Sequence, residues 1–158
     1  MEEAEQGRGI ETEEDILVEG LAFSEWEGDR LSWSMEAENG RYYHKKETAV
    51  FEQVAATLVT SGGGKMRLWA KSVDYDLQAR TLVARDSVRG ESDQGYDFTT
   101  ESLFYEGATR AVWTDDKVAL EKDRLTIQGT GMKGSLTDHT FRLLSDVRAV
   151  FVPEGTAP

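Results

Sequence analysis

Two histidines, His44 and His139, are the first candidates for acid–base work or metal binding in this chain. His44 stands beside Lys45 and Lys46, and His139 lies between Asp138 and Thr140, so both read as solvent-facing loop histidines without ligand-spaced partners. The carboxylate pairs Asp74/Asp76 and Asp115/Asp116 could share proton transfer only inside a pocket, and both are expected in solvated turns. Ser61-Gly62-Gly63-Gly64-Lys65-Met66 has the glycines and lysine of a phosphate loop but neither its spacing nor the hydroxyl after the lysine; it reads as a hairpin loop. Gly129-Thr130-Gly131-Met132-Lys133-Gly134 opens a strand-rich segment, which argues against a dinucleotide fingerprint. There is no nucleophile elbow and no cysteine. The chain is therefore expected to be a non-enzyme without metal or cofactor.

The informative chemistry is apolar. Trp33, Phe51, Leu68, Tyr75, Phe98, Tyr105, Ile127 and Phe141 recur at regular places, with Leu143 beyond them. They either fill a core or line a slot for an acyl chain. Each buried methylene gains about 0.8 kcal/mol, so a chain of about twelve gains up to roughly 10 kcal/mol before entropic costs. Phe98 is expected to face inward and Arg110 outward.

The elements that must position these residues are strands. Apolar residues alternate in Leu31–Ala37, Met66–Ala70, Tyr96–Thr100 and Leu125–Ile127, and turn-like stretches rich in Gly, Asp, Ser and Lys separate them. Thr48–Leu58 suits a helix or a strand and is read as a strand because its neighbours are strands. Met35-x-Ala37, Leu68-x-Ala70, Phe98-x-Thr100 and Ile127-x-Gly129 recur about every thirty residues, each followed after four residues by Tyr42, Tyr75, Tyr105 or Gly134. Val54, Val88, Val118 and Val147 keep the same period. Each unit reads as a pair of strands, which must stack to bury its apolar face. Leu68 and Ala70 share a parity that Tyr75 does not, so a bulge or corner must return the tyrosine to the inside, and the small residue marks the bend. The expected fold is all-β: an open, repeat-built β-jellyroll or sandwich of two facing antiparallel sheets. Its edge strands would carry Ile16 and Val18 at one end and Val147, Val150 and Phe151 at the other, open to strand addition.

Composition agrees with a folded module: 39% of the chain is hydrophobic, and its only prolines are Pro153 and Pro158. The net charge is −12, half of it from seven acids set against Arg8 in the first fifteen residues. The organisation expected is an acidic flexible leader over 1–14, the jellyroll over 15–152 and a disordered tail over 153–158. An acidic body is a poor partner for nucleic acid.

Four stretches together resemble the LptC family of OstA-like jellyroll proteins. They are Gly28–Ala37 with Tyr42, Leu68–Ala70 with Tyr75 and Val88, Phe98–Ser102, and Gly129–Leu136 with Leu143–Arg148. The resemblance spans about residues 15 to 152. It implies a periplasmic jellyroll anchored to the inner membrane in the full-length protein. Such a module takes lipopolysaccharide from an inner-membrane ABC transporter at its N-terminal edge. It passes the lipid through an apolar interior to LptA at its C-terminal edge. Gly28 and Gly134 match glycines of the family pattern and are expected to permit bends. No anchor helix appears in the sequence, as expected of a chain trimmed after the anchor. Three other readings stay open: an LptA-like soluble bridge, a docking adaptor without a lipid slot, and a hydrolase on a β-scaffold.

Overall fold

The computed structural model describes residues 16–60, 62–138 and 140–155. The acidic leader and the last three residues of the tail lie outside that range, as does His139. Eleven strands and no helix make up the described residues: β1 (Ile16–Glu27), β2 (Arg30–Tyr43), β3 (Thr48–Val59), β4 (Lys65–Asp76), β5 (Thr81–Arg85), β6 (Val88–Ser92), β7 (Asp97–Thr100), β8 (Leu103–Glu106), β9 (Ala111–Lys122), β10 (Leu125–Ser135) and β11 (Thr140–Phe151). No helix among the described residues is long and apolar enough to cross a membrane. All pairings are antiparallel. They run β1-β2-β3-β4, then through β5-β8 on one side and β6-β7 on the other, and rejoin at β9-β10-β11. The jellyroll is thus one continuous hydrogen-bonded sheet folded on itself, and its two facing walls are halves of the same long strands. The Thr48–Leu58 segment is a strand, and the Gly62–Gly64 stretch is a loop between β3 and β4.

A crease across the sheet makes the fold. Gly20 and Gln53 have positive φ (70° and 54°), and each stands at the step where its neighbours change face. Gly20 lies across from Glu38, and Glu38 and Lys71 flank Gln53. The line continues through Asp86 and Ser87, which separate β5 from β6 with φ of 65° and 76°. It ends at Gly131 and Asp146, where the β9–β10 and β10–β11 registers slip by one residue. A left-handed residue interrupts the pleat, so the next side chain stays on the same side of the sheet. Burial in β4 follows: Leu68 and Ala70 are buried, then Val73 and Tyr75. The parity flip is a corner without an inserted residue, since the β3–β4 register is unbroken.

The sequence repeat is the imprint of this crease. The small residues and the valines alternate in one row beside it: Ala37 opposite Val54, Val54 opposite Ala70, Val88 opposite Thr100, Thr100 opposite Val118, and Val118 opposite Gly129. Most members of this row are small or β-branched, and Leu21, opposite Ala37, closes it at the β1 end. One step outward, Met35, Ala56, Leu68, Gly90, Phe98, Leu120 and Ile127 form the next inward row of the wall that carries Trp33, here called the tryptophan leaf. On the opposite wall, the tyrosine leaf, Tyr42, Ala49, Tyr75, Leu82, Tyr105, Val112, Gly134 and Phe141 form one row. Where a fourth tyrosine would stand, Gly134 leaves room and Phe141 supplies the ring from the next strand.

Candidate apolar slot and its edges

The space between the leaves is filled at one end and open at the other. Near β1, Phe23 stacks on Trp33 with centroids 5.3 Å apart, and Tyr75 meets both edge-on at 5.8 and 5.4 Å. Phe51 closes the cluster 6.2 Å from Phe23. These contacts leave a residual cavity of about 50 Å³ among Trp33, Leu58, Leu68 and Tyr105. A polar cap sits over the aromatic cluster. Glu25 Oε1 accepts from Tyr75 Oη at 2.8 Å and from Trp33 Nε1 at 3.1 Å. Glu25 Oε2 accepts from Arg80 Nε at 3.0 Å and Nη2 at 2.6 Å, and Arg80 Nη2 also donates to Glu27 at 2.9 Å. Burial first, and then the hydrogen bond to Glu25, push the Tyr75 hydroxyl well above its ordinary value. Burial likewise raises that of Tyr105. Hydrogen bonds to Glu27 and Glu25 hold the Arg80 guanidinium charged.

Toward β11 the leaves stand apart around an open cavity of about 460 Å³. Met66, Phe98 and Leu120 line it from the tryptophan leaf, and Met132, Leu136 and Phe141 from the tyrosine leaf. Its size lies within the range of small-molecule sites, about 300–1,000 Å³. A larger hollow of about 1010 Å³ is lined by Arg89, Thr99, Lys117, Gln128 and Arg148 among others; it is polar and of mixed charge, unsuited to an apolar chain.

Of the residues singled out in the sequence, Trp33, Phe51, Leu68, Tyr75, Phe98 and Tyr105 are buried between the leaves. Ile127 is half-buried, and Phe141 is 43% exposed at the rim of the open cavity. Among the described residues β1 and β11 each pair with one neighbour, so both are sheet edges. Ile16, Val147, Val150 and Phe151 are exposed there, and Val18 is half-buried. Gly28 has a φ of 66° in the β1–β2 turn, as a bend requires. Gly134 has no positive φ; a Cβ there would stand 2.3 Å from Phe141 Cδ1, so the glycine makes room for that ring.

Arg110 does not point outward. Its Nη2 donates to the carbonyl of Val59, and so reaches across to the other leaf as Arg80 does. The sequence reading missed this pair and Glu25. The signal was present: Arg80 and Arg110 each follow a repeat tyrosine by five residues, and Glu47 holds the same place after Tyr42. All three have positive φ, between 51° and 60°. The acidic pairs also depart from expectation, lying in strands. Asp74 pairs with Arg85, and Asp76 accepts from the amides of Gln78 and Ala79. Asp116 accepts from Ser102 Oγ at the crease. Asp74, Asp76 and Asp116 are thus engaged in structural contacts, and Asp115 is exposed.

A two-leaved jellyroll with an apolar interior and two free edges is the frame against which known proteins compare. The family model described as "Lipopolysaccharide-assembly, LptC-related" matches residues 4–152. The chain belongs to the LptC family. Comparison with curated proteins finds no match. Among solved structures, the crystal structure of LptH from Pseudomonas aeruginosa superposes with a TM-score of 0.58 at 12% identity, over 77% of this chain and 95% of that one. LptH is described as the LptA homologous periplasmic component of the conserved lipopolysaccharide transport device. At that identity the likeness speaks for the fold: this LptC-family chain is an LptA-like jellyroll.

Proposed function

We propose that this LptC-family chain is a periplasmic module that holds lipopolysaccharide by its acyl chains between the two leaves and hands it on. In the full-length protein the module is anchored to the inner membrane. The β1 edge docks the inner-membrane ABC transporter that supplies the lipid, and the β11 edge docks LptA. The observation that carries this reading is the open apolar cavity between Phe98 and Phe141, beside the unpaired β11 edge. An acidic body with an apolar interior grips an anionic lipid by its tails rather than its phosphates. The packed end, with its residual 50 Å³, favours a second reading for that half alone: a docking bridge with no lipid inside.

The test is a binding titration with intact and with deacylated lipopolysaccharide. Saturable binding of the intact lipid, with no competition from the deacylated saccharide, is the expected result. Equal binding of the two would reject an acyl-chain slot, and no binding of either would favour the bridge.

A further inference from the structure

Three hydrogen-bonded neighbours set a phenylalanine directly opposite a glycine: Gly40 with Phe51, Gly90 with Phe98, and Gly134 with Phe141. In each pair the ring lies over the glycine. A Cβ on Gly90 would stand 2.1 Å from Phe98 Cε1, and one on Gly134 would stand 2.3 Å from Phe141 Cδ1. On Gly40 it would stand 3.0 Å from Phe51 Cδ1 and 2.8 Å from Leu21 Cδ2, so there the ring is one of two neighbours. None of the three glycines has a positive φ, so the backbone conformation does not call for glycine at these places. At Gly90 and Gly134 what calls for it is the ring.

The pairs differ in what covers them. Phe51 is packed under Phe23. Phe98 and Phe141 instead face the open cavity from opposite leaves. Facing β-sheets stand only about 10 Å apart, so a ring that rose from either wall would block the gap. We propose that Gly90 and Gly134 set the bore of the slot: they let Phe98 and Phe141 lie flat, which leaves a passage for slender unbranched acyl chains and excludes bulky apolar groups. This proposal rests on the acyl-chain reading above. A methyl group at either glycine would tip its ring into the passage, since the Cβ and the flat ring cannot share the space.

Two fluorescent probes test the proposal: cis-parinaric acid, a slender polyene fatty acid, and a pyrene-tipped dodecanoic acid. The wild-type chain is expected to bind the first and discriminate against the second. Gly90→Ala should weaken parinaric acid binding about tenfold, and the added change Phe98→Leu should restore it to within about threefold. Phe98→Ala, which opens the bore without touching the glycine, should shift preference toward the pyrene probe. Unchanged parinaric acid binding in a folded Gly90→Ala variant overturns the proposal and leaves the acyl-chain reading standing. If that variant fails to fold, the Phe98→Ala arm decides, and an unchanged preference between the probes overturns the proposal. A wild-type chain that binds neither probe overturns both readings.

Discussion

Arg80 grips Glu25 with two nitrogens, and the same carboxylate accepts from Tyr75 and Trp33. One acid on β1 thereby ties the edge strand to the turn between β4 and β5 on the opposite leaf. Its side chain is only 17% exposed, so its loss would strand partners in a poorly solvated place. Glu25→Ala is expected to cost about 2–3 kcal/mol, read from urea unfolding. Arg89–Glu91 is the contrast: both partners are well exposed (59% and 36%), and Arg89→Ala should cost under about 1 kcal/mol. Similar costs for the two variants would mean that the cap over the aromatic cluster does not hold the leaves together.

The same cap predicts an alkaline limb of unfolding. Folded Tyr75 keeps its proton to a higher pH than the unfolded side chain, whose ordinary value is about 10. Below about pH 10 both states are protonated and the contribution of Tyr75 is complete. Above that pH the unfolded state ionises first, so stability falls as pH rises toward the folded value. Melting curves across that range should show the fall, and Tyr75→Phe should flatten it. Tyr105, raised in the same direction by burial, should leave a residual slope.

The crease predicts an unusual substitution pattern. Gln53 holds a φ of 54° in the middle of β3, a conformation that glycine accepts and β-branched residues resist. Gln53→Val is expected to destabilise by about 1–3 kcal/mol and Gln53→Gly by far less, although valine is the better strand former elsewhere. Thermal melts of the two variants check this order.

The fold was legible because the crease writes itself into the sequence. Small residues at 37, 70, 100 and 129 and valines at 54, 88 and 118 are the two halves of one row beside the crease. The tyrosine parity gave away a corner, but only the left-handed backbone at Gly20 and Gln53 and the break at Asp86–Ser87 show how it is made. Parity could place Phe98 inside, yet it could not tell a filled end from an open one. That difference depends on Phe23 of β1 covering Phe51, a contact that crosses from one leaf to the other. The arginine clasps were hidden for another reason. A charged residue at a turn ordinarily points to solvent, and Arg110 turns inward because its left-handed backbone aims it across the mouth.

The β11 edge gives a further prediction, which follows from the proposed docking of LptA. Phe151 is 64% exposed on a strand whose outer edge is open. Phe151→Lys should weaken capture of LptA about tenfold or more, because a charged edge opposes strand addition. Stability should stay within about 0.5 kcal/mol of wild type, as for most surface changes. Capture and melting temperature measured on one preparation separate the two effects.

The most direct measurement of the central claim is a photo-crosslinking scan with lipopolysaccharide along β7 and the facing stretch of β9. Phe98 and Leu120 face the interior, while their chain neighbours Thr99 and Ala119 lie on the outer surface, opposite each other. Crosslinks to the lipid at 98 and 120, with none at 99 and 119, are the predicted result. Crosslinks at all four positions, or at 99 and 119 alone, would place the lipid outside the fold and contradict an interior path.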